Sequence, residues 1–421
     1  MIDLLATLIS PITEPMGVAT ADLISYLNAM SSHLLIGGIA LLVLILVLIF
    51  ACKVKKGWKA WTRLQAVVAF LAVVVLLVNA ICYGPMNNLL STFLNASEVS
   101  LDAATMQQSN DMITRIGEEG FVLLRNEGSV LPLKSGTTKL NVFGWASTKP
   151  YLGGTGSSES GSEDVVDLLG GLRNAGFEVN EKLTAMYTEY AADRPAADMF
   201  GQNMTLPEPT MDHYTDELMN EAKAFSDTAL IVISRGGGEN YDLPTDMNAV
   251  IKGTYNISEQ VSINPSVYPY TKVTYTNNGD YDDFEPGESY LELSVTEEKL
   301  LDLVCANFEN VVVIINACNP MELGFLEEHE NVDAALLTPA PGARGFDALG
   351  SILKGSVNPS GRTADTYIRD LTAAPSYNNV GIIPFTGYEE LAQAILSADP
   401  TYQGSMSFVN YVEGIYIGYK F

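Results

Sequence analysis

Histidine and cysteine are scarce in this 421-residue sequence, and their scarcity excludes several kinds of site. The three histidines, His33, His213 and His329, lie far apart along the chain, so neither a zinc site nor a histidine-based catalytic triad is predicted. The four cysteines show no metal-binding spacing, and we predict no disulfide framework. We therefore expect no metal and no cofactor, and we expect any catalysis to use carboxylates.

Basic residues are also few: the chain has 23 Lys and Arg against 50 Asp and Glu, a net charge of −27. Residues 1–100 hold five basic and four acidic side chains, so the negative charge belongs to the remainder of the chain. Such an acidic surface disfavours nucleic acid and anionic membrane as partners of that part. The negative charge suits a soluble extracytoplasmic domain. The alternative explanation is that the charge serves only to keep the domain soluble.

Lys and Arg are absent from residues 1–52, so the basic start of an ordinary signal peptide is missing. Two charge-poor apolar runs, residues 34–52 and 64–83, have the length of membrane-spanning helices; a buried core hairpin is the alternative. The loop between them carries only basic charges, at Lys53, Lys55, Lys56, Lys59 and Arg63. We predict a membrane anchor over residues 1–100, with this loop cytoplasmic and the rest of the chain outside the cytoplasm at the cell membrane.

The remainder, residues 101–421, is predicted to be an α/β domain with a mostly parallel sheet sandwiched between helices. Four apolar, β-branched runs typical of buried parallel strands lie at residues 140–147, 229–235, 310–317 and 332–339. Stretches with apolar residues at helical spacing separate them, at residues 162–174, 215–226, 295–308 and 343–354. A further helix is predicted over residues 101–119.

Local signals refine this outline. Ser294 and Glu297 have the spacing of a capping box, and Gly355 is a predicted helix stop. The turn at residues 358–361 is predicted to be structural. Residues 243–289 are polar and rich in turn residues, which predicts an inserted hairpin or flexible loop.

The first of two glycine-rich segments that follow predicted strands is YLGGTGSSESGSEDVV, which begins at Tyr151. It resembles a phosphate cradle, but Glu159 stands where a dinucleotide fingerprint has its third glycine, and Glu163 and Asp164 open the predicted helix. These acidic side chains disfavour a nucleotide-binding domain. Two interpretations of this segment remain: a plain strand-to-helix turn, or a loop that approaches an uncharged polar ligand.

In the second segment, three glycines at residues 236–238 precede Glu239 beyond the carboxyl end of a predicted parallel strand, where open α/β sheets bind ligands. Cleavage of a glycosidic bond needs one carboxylic acid and a second carboxylate. Glu239 is therefore the candidate functional carboxylate. By residue type alone, a surface glutamate is the simpler explanation.

In order and over almost all of residues 119–421, these segments resemble the α/β sandwich domain of family 3 glycoside hydrolases. The resemblance is carried by EGFVLLRNEGSVLPL, by NVFGWAS followed by GGTGSS, and by VISRGGGENYD, GSVNPSGRTADTY and YVEGIYIGYKF. It implies a β-glucosidase-like enzyme with a retaining mechanism, acting on a β-linked oligosaccharide or glycoside. It also implies that Glu239 is the general acid/base and that Ser157 lies near the sugar. Asn240 and Leu243 depart from the usual Gly and Arg.

The family's nucleophile is an Asp on a separate (β/α)8 barrel, which needs roughly 250 residues. Only about 100 residues precede the sandwich-like segment. We therefore expect the barrel to be missing from this chain, which resembles the front part of permuted members in which the sandwich comes first. The alternative is a noncatalytic, membrane-tethered carbohydrate-binding or sensory module.

Overall fold

The computed structural model of the chain describes residues 27–87, 102–154, 165–192, 203–238, 243–255, 273–276, 283–374, 377, 383–384, 386–399, 407–408 and 414–415. The chain divides into two compact units, Met1–Asp102 and Ala103–Phe421. Each unit is described by itself.

The first unit contains two long apolar helices, α1 (Ser31–Ala51) and α2 (Lys59–Tyr83). They pack against each other near Gly37, where an added Cβ would lie 3.5 Å from the Leu77 side chain. Both are long and apolar enough to cross a membrane, a test that a signal sequence also passes. Many of their large apolar side chains are exposed, including Leu35, Ile39, Leu46, Phe50, Val68 and Leu76.

The second unit is built on a six-stranded sheet with the order β1-β6-β5-β4-β2-β3. Its strands are β1 (Val122–Asn126), β2 (Lys139–Phe143), β3 (Glu178–Val179), β4 (Thr228–Arg235), β5 (Asn310–Ala317) and β6 (Ala334–Leu337). β2 to β6 pair in parallel with their neighbours, whereas β1 is an antiparallel edge strand on β6. The four predicted strands are confirmed as β2, β4, β5 and β6, and β1 and β3 were not predicted.

Helices cover both faces of this sheet. They are α3 (Ala103–Gly120), α4 (Leu168–Asn174), α5 (Glu181–Ala191), α6 (Asp216–Phe225), α7 (Met247–Ile251), α8 (Val295–Asn307), α9 (Phe325–Glu328) and α10 (Phe346–Lys354). A further helix, α11 (Tyr388–Ala398), and a small antiparallel pair, β7 (Ile383–Pro384) with β8 (Ser407–Phe408), follow.

Alternating residues of the central strands divide the apolar core into two layers. Leu230 and Val232 of β4 face one cluster that includes Leu172 of α4 and Leu349 of α10. Ile231 on the same strand faces the other, which includes residues of α5, α6 and α8. Because side chains alternate along a strand, burial on both faces requires the continuous apolar runs seen in the sequence.

Local capping chemistry sets the helix ends. The predicted capping box at α8 is present, with the Ser294 hydroxyl and the Glu297 carboxylate each bonded to the other residue's backbone N–H. Gly355 ends α10 with φ of +75°, a conformation that favours glycine. α4 begins at Leu168, later than predicted, because the Asp167 carboxylate caps it by accepting from the Gly170 N–H at 2.6 Å. Residues 162–164 lie outside the described residues.

The polar stretch at residues 243–289 contributes some of its described residues to the core, while others, such as Lys252 and Glu285, are exposed. The stretch includes the short helix α7, and Met247 and Phe284 are fully buried. The apolar residues lie in short groups among polar ones, and none of these groups is long enough to predict a core element. No turn is formed at residues 358–361, where Asn358 and Ser360 are exposed, but Gly361 packs closely: a Cβ on it would lie 2.3 Å from the Gly120 carbonyl oxygen.

Candidate functional site

The carboxyl ends of β2, β4, β5 and β6 meet at one edge of the sheet, the edge where open α/β sheets bind ligands. Three glycines follow β4 there: Gly236 and Gly237 are buried and Gly238 is exposed. Glu239 and Ser157 themselves lie outside the described residues, as does Asp242. The site can therefore be described up to the residue before Glu239.

Close neighbours explain two of the glycines. A Cβ on Gly236 would lie 2.8 Å from the Tyr151 hydroxyl oxygen, and a Cβ on Gly237 would lie 2.7 Å from the Asn319 side-chain nitrogen. At distances below 3.0 Å, either the neighbouring side chain or the glycine backbone would have to shift to accommodate a Cβ. Tyr151 comes from the segment after β2 and Asn319 from the segment after β5. Gly236 and Gly237 are thus flanked by polar side chains from the segments that follow both neighbouring strands.

Asn316, which is fully buried near the end of β5, ties these segments together. Its Oδ1 accepts from the Tyr151 backbone N–H at 2.7 Å and from the Ser234 hydroxyl at 2.8 Å. Its Nδ2 donates to the carbonyl oxygens of Tyr151 at 2.9 Å and Thr338 at 3.1 Å. All four side-chain hydrogen bonds of one asparagine are used to join the ends of β4, β5 and β6 to the segment after β2.

Arg235, the last residue of β4, is a buried cation four positions before Glu239. Its guanidinium donates to both carboxylate oxygens of Glu297 in α8, at 2.8 and 2.6 Å, and its Nε donates to the Tyr290 carbonyl oxygen at 2.6 Å. The Tyr290 hydroxyl in turn accepts from the Gly236 N–H at 3.2 Å. The exit of β4 is therefore held on both sides by buried hydrogen bonds.

A second buried carboxylate, Glu208, lies at the carboxyl end of β2. It accepts from the Trp145 backbone N–H at 2.8 Å and from the Tyr214 hydroxyl at 2.7 Å. Burial raises the pKa of the Glu208 carboxyl to about 8, against the lowering effect of these two hydrogen bonds. Sequence reasoning missed Glu208, because an acid flanked by prolines in TLPEPT carries no local signal of burial.

Asp283 is a third buried carboxylate in this region. Its oxygens accept hydrogen bonds from the hydroxyls of Tyr275 and Thr296. Burial raises the pKa of Asp283 to about 6, again against its hydrogen bonds. Among the residues described, no three His, Cys, Asp or Glu side chains lie where they could share a metal ion.

Residues 121–419 match the family model described as the glycosyl hydrolase family 3 C-terminal domain. The chain belongs to this family. The match covers the whole six-stranded sheet and the segments on which the sequence resemblance was based. The predicted family and fold class are therefore confirmed, and the second unit is a family 3 β-glucosidase-like domain.

Individual relatives agree with this family. Beta-glucosidase A of Butyrivibrio fibrisolvens is 27% identical over 307 residues, which are 72% of this chain and 31% of the relative. The beta-glucosidase of Ruminococcus albus is 29% identical over 271 residues, 63% of this chain and 23% of the relative. The chain thus spans less than a third of the length of either enzyme.

A solved structure also resembles this chain. The crystal structure of a beta-glucosidase from Paenibacillus barengoltzii matches with a TM-score of 0.50 and 26% identity. The match covers 67% of this chain and 26% of that chain. The similarity again concerns one part of a longer protein.

Proposed function

We propose that this chain supplies the acid/base half of a retaining β-glucosidase-like active site that acts on terminal β-linked sugars. In this proposal Glu239 protonates the leaving oxygen and then activates water, while Ser157 contacts the sugar. The Asp nucleophile comes from a (β/α)8 barrel that these 421 residues do not supply.

The observation that carries the proposal is the construction of the β4 exit in a family 3 domain. Buried Arg235 and two closely packed glycines lie at the carboxyl edge of the sheet, and Glu239 follows them in the sequence. A general acid must be held in position relative to the bond that it protonates. Arg235 donates to the Tyr290 carbonyl oxygen, the Gly236 N–H donates to the Tyr290 hydroxyl and the Ser234 hydroxyl donates to Asn316, and these bonds hold the chain up to Gly236, three residues before Glu239 in the sequence.

We also propose that α1 and α2 tether the domain to the cell membrane, with residues 1–100 as the anchor and the α/β domain outside the cytoplasm. The support is the exposure of large apolar side chains on both helices, which costs free energy in water and none in lipid. The basic residues between the helices favour a cytoplasmic loop.

The test uses the native protein isolated from the membranes of cells that encode it, together with whatever polypeptide accompanies these 421 residues. A genomic Glu239→Gln substitution should abolish most hydrolysis of alkyl β-glucosides. Asp242→Asn, a neighbouring carboxylate removed in the same way, is the matched control. Residues 1–421 expressed alone should hydrolyse no aryl β-glycoside, since one carboxylate of the pair is absent.

Two results would contradict the proposal. Turnover by residues 1–421 alone that disappears with Glu239→Gln would show that no separate nucleophile domain is needed. A native membrane protein without any Glu239-dependent hydrolysis, but with saturable sugar binding, would instead support the carbohydrate-binding or sensory module.

A further inference from the structure

Glu208 is a fully buried carboxyl group near the site that the proposed function does not use. Burying an ionised carboxylate costs folding free energy unless hydrogen bonds or an opposite charge compensate it. Glu208 comes from a segment before α6 and reaches the backbone directly after β2. Gly144, at that point, has φ of +94°, and a Cβ there would lie 2.3 Å from the Val232 carbonyl oxygen. The chain can make this turn against β4 only with glycine.

The hydrogen bonds around Glu208 form a chain with one consistent direction. The Tyr214 hydroxyl donates to Glu208, so in its 2.8 Å bond with Tyr187 it must accept. The Tyr187 hydroxyl is also hydrogen-bonded to the Gly144 backbone amide, which is a donor. Two consecutive backbone N–H groups, of Gly144 and Trp145, are thereby held by one carboxylate and two tyrosines.

This arrangement is satisfied only when Glu208 is ionised. If the carboxyl is protonated and donates to Tyr214, Tyr214 must donate to Tyr187, and the Tyr187 proton then has no acceptor among the described contacts. If the tyrosine hydroxyls keep their directions, the carboxyl proton has no acceptor among the described contacts. Hydrogen bonds to a carboxylate are roughly twice as strong as neutral ones. Proton uptake therefore weakens the hold on the backbone at Trp145.

The surrounding charges oppose ionisation. The charged groups that face Glu208 are Glu297 at the start of α8 and Asp283 from the preceding segment, both carboxylates. The buried cation in this region, Arg235, is already paired with Glu297. The two tyrosines stay protonated, since burial raises the pKa of each well above its ordinary value. Ionised and protonated Glu208 are thus close in free energy.

Trp145 connects this group to the candidate site. Its ring packs edge-on against Tyr151, with centroids 6.1 Å apart, and Tyr151 lies against Gly236 at the β4 exit. The indole N–H of Trp145 is buried and has no hydrogen-bond partner among the residues that the structure describes, so none of their polar groups fixes the ring. Movement of the Trp145 backbone would therefore shift its ring against Tyr151, and through Tyr151 would reach Gly236.

We propose that Glu208 is a proton-linked positioning residue, whose ionisation tightens the segment at residues 144–151 against the β4 exit. The role in positioning a sugar site rests on the proposed function; the proton-linked anchor itself does not. A sugar-binding segment would then be better ordered in mildly alkaline than in acidic solution.

Tryptophan fluorescence of the full chain tests the anchor. Trp58, which precedes α2, and Trp61, which lies in α2, are replaced by Phe. Trp145 is then the single tryptophan of the sequence. Its emission should change with pH in one transition centred at about 8. Glu208→Gln should abolish the transition. Glu322→Gln is the matched control, because burial raises the pKa of that carboxyl to about 7 at a site that bonds Leu371 instead.

A second variant keeps the proposal testable if Glu208→Gln does not fold. Tyr214→Phe retains the ring and removes one donor to the carboxylate, so the midpoint should rise by about one to two pH units. The proposal is overturned if the fluorescence transition is still present in Glu208→Gln, or if its midpoint is unchanged in Tyr214→Phe. Because no sugar is used, this result is independent of whether Glu239-dependent hydrolysis exists.

Discussion

Arg235 and Glu297 form a two-point ion pair in which both side chains are fully buried, with nitrogen–oxygen distances of 2.8 and 2.6 Å. The same carboxylate accepts from the Ser294 N–H and completes the capping box of α8. One interaction therefore joins the end of β4 to the start of a helix on the sheet. It lies directly before the glycines that lead to Glu239.

Removing one partner of this pair should be severe. Glu297→Gln leaves a buried guanidinium without a counter-charge, and we expect it to cost about 3–5 kcal/mol of unfolding free energy. The measurement is urea unfolding of the full chain. Glu327→Gln is the control, because its ion pair with Arg369 is exposed to solvent and should contribute far less to stability. Equal losses of unfolding free energy in Glu297→Gln and Glu327→Gln would show that burial does not make the Arg235–Glu297 pair more important than an exposed one.

Close packing between α4 and α10 gives a second prediction. A Cβ on Gly171 would lie 2.1 Å from the Phe346 carbonyl oxygen, so Gly171→Ala must push two helices apart. We expect a loss of about 1–3 kcal/mol in the same unfolding assay. Gly136→Ala, where a Cβ meets no atom within 4 Å, should change stability by less than about 1 kcal/mol. An unaffected Gly171→Ala would mean that the helices separate freely.

Stability should decrease as pH rises from about 5 to about 8. Burial raises the folded-state pKa of Glu208 to about 8 and of Asp283 to about 6, above the ordinary values of 4.5 and 3.8. In this window the folded chain keeps protons that the unfolded chain releases, so each such group destabilises the fold by up to about 1.4 kcal/mol per pH unit. Urea unfolding between pH 5 and 9 measures the slope.

Glu208→Gln provides the control for that slope, which should become shallower between pH 6.5 and 8; the slope that remains comes from Glu322, whose pKa burial raises to about 7. A wild-type slope that is no steeper than that of Glu208→Gln over this range would show that hydrogen bonds from Trp145 and Tyr214 outweigh desolvation. The carboxylate would then be ionised throughout.

The role proposed for Glu239 predicts a dependence on the leaving group in the native membrane protein. A dinitrophenolate needs little protonation, so Glu239→Ala should slow its release less than that of an alkyl alcohol. Deglycosylation then limits turnover, and azide, which needs no general base, should restore the rate and give a β-glycosyl azide. Equal losses on all substrates without azide rescue would leave Asp242 or Glu285 as the acid to test.

Membrane topology gives the last prediction. In a variant whose four cysteines are replaced by serine, a single cysteine at Gly57 should be protected from an impermeant thiol reagent in intact cells and become labelled after permeabilisation. A cysteine at Gly136, in the α/β domain, is the control and should react without permeabilisation. Labelling of position 57 from outside would reverse the proposed orientation.

Local sequence was sufficient for much of this fold. The runs that became β4 and β5 are apolar on both faces, and a strand of that kind is stable only inside a sheet covered on both sides. Ser294 with Glu297 and Gly355 marked helix ends correctly, because capping depends on residues within one turn. Segments such as EGFVLLRNEGSVLPL and GSVNPSGRTADTY were sufficient to identify the family.

Tertiary structure alone decided which polar residues are buried. β1 follows no alternating pattern, and its place at the edge depends on pairing with β6, more than 200 residues away. Glu208, Arg235 and Asp283 look like ordinary surface charges in sequence, and their partners are mostly distant along the chain. Local periodicity reports where apolar side chains face. The burial of a charged one depends on whether distant groups supply its hydrogen bonds, which only the folded chain determines.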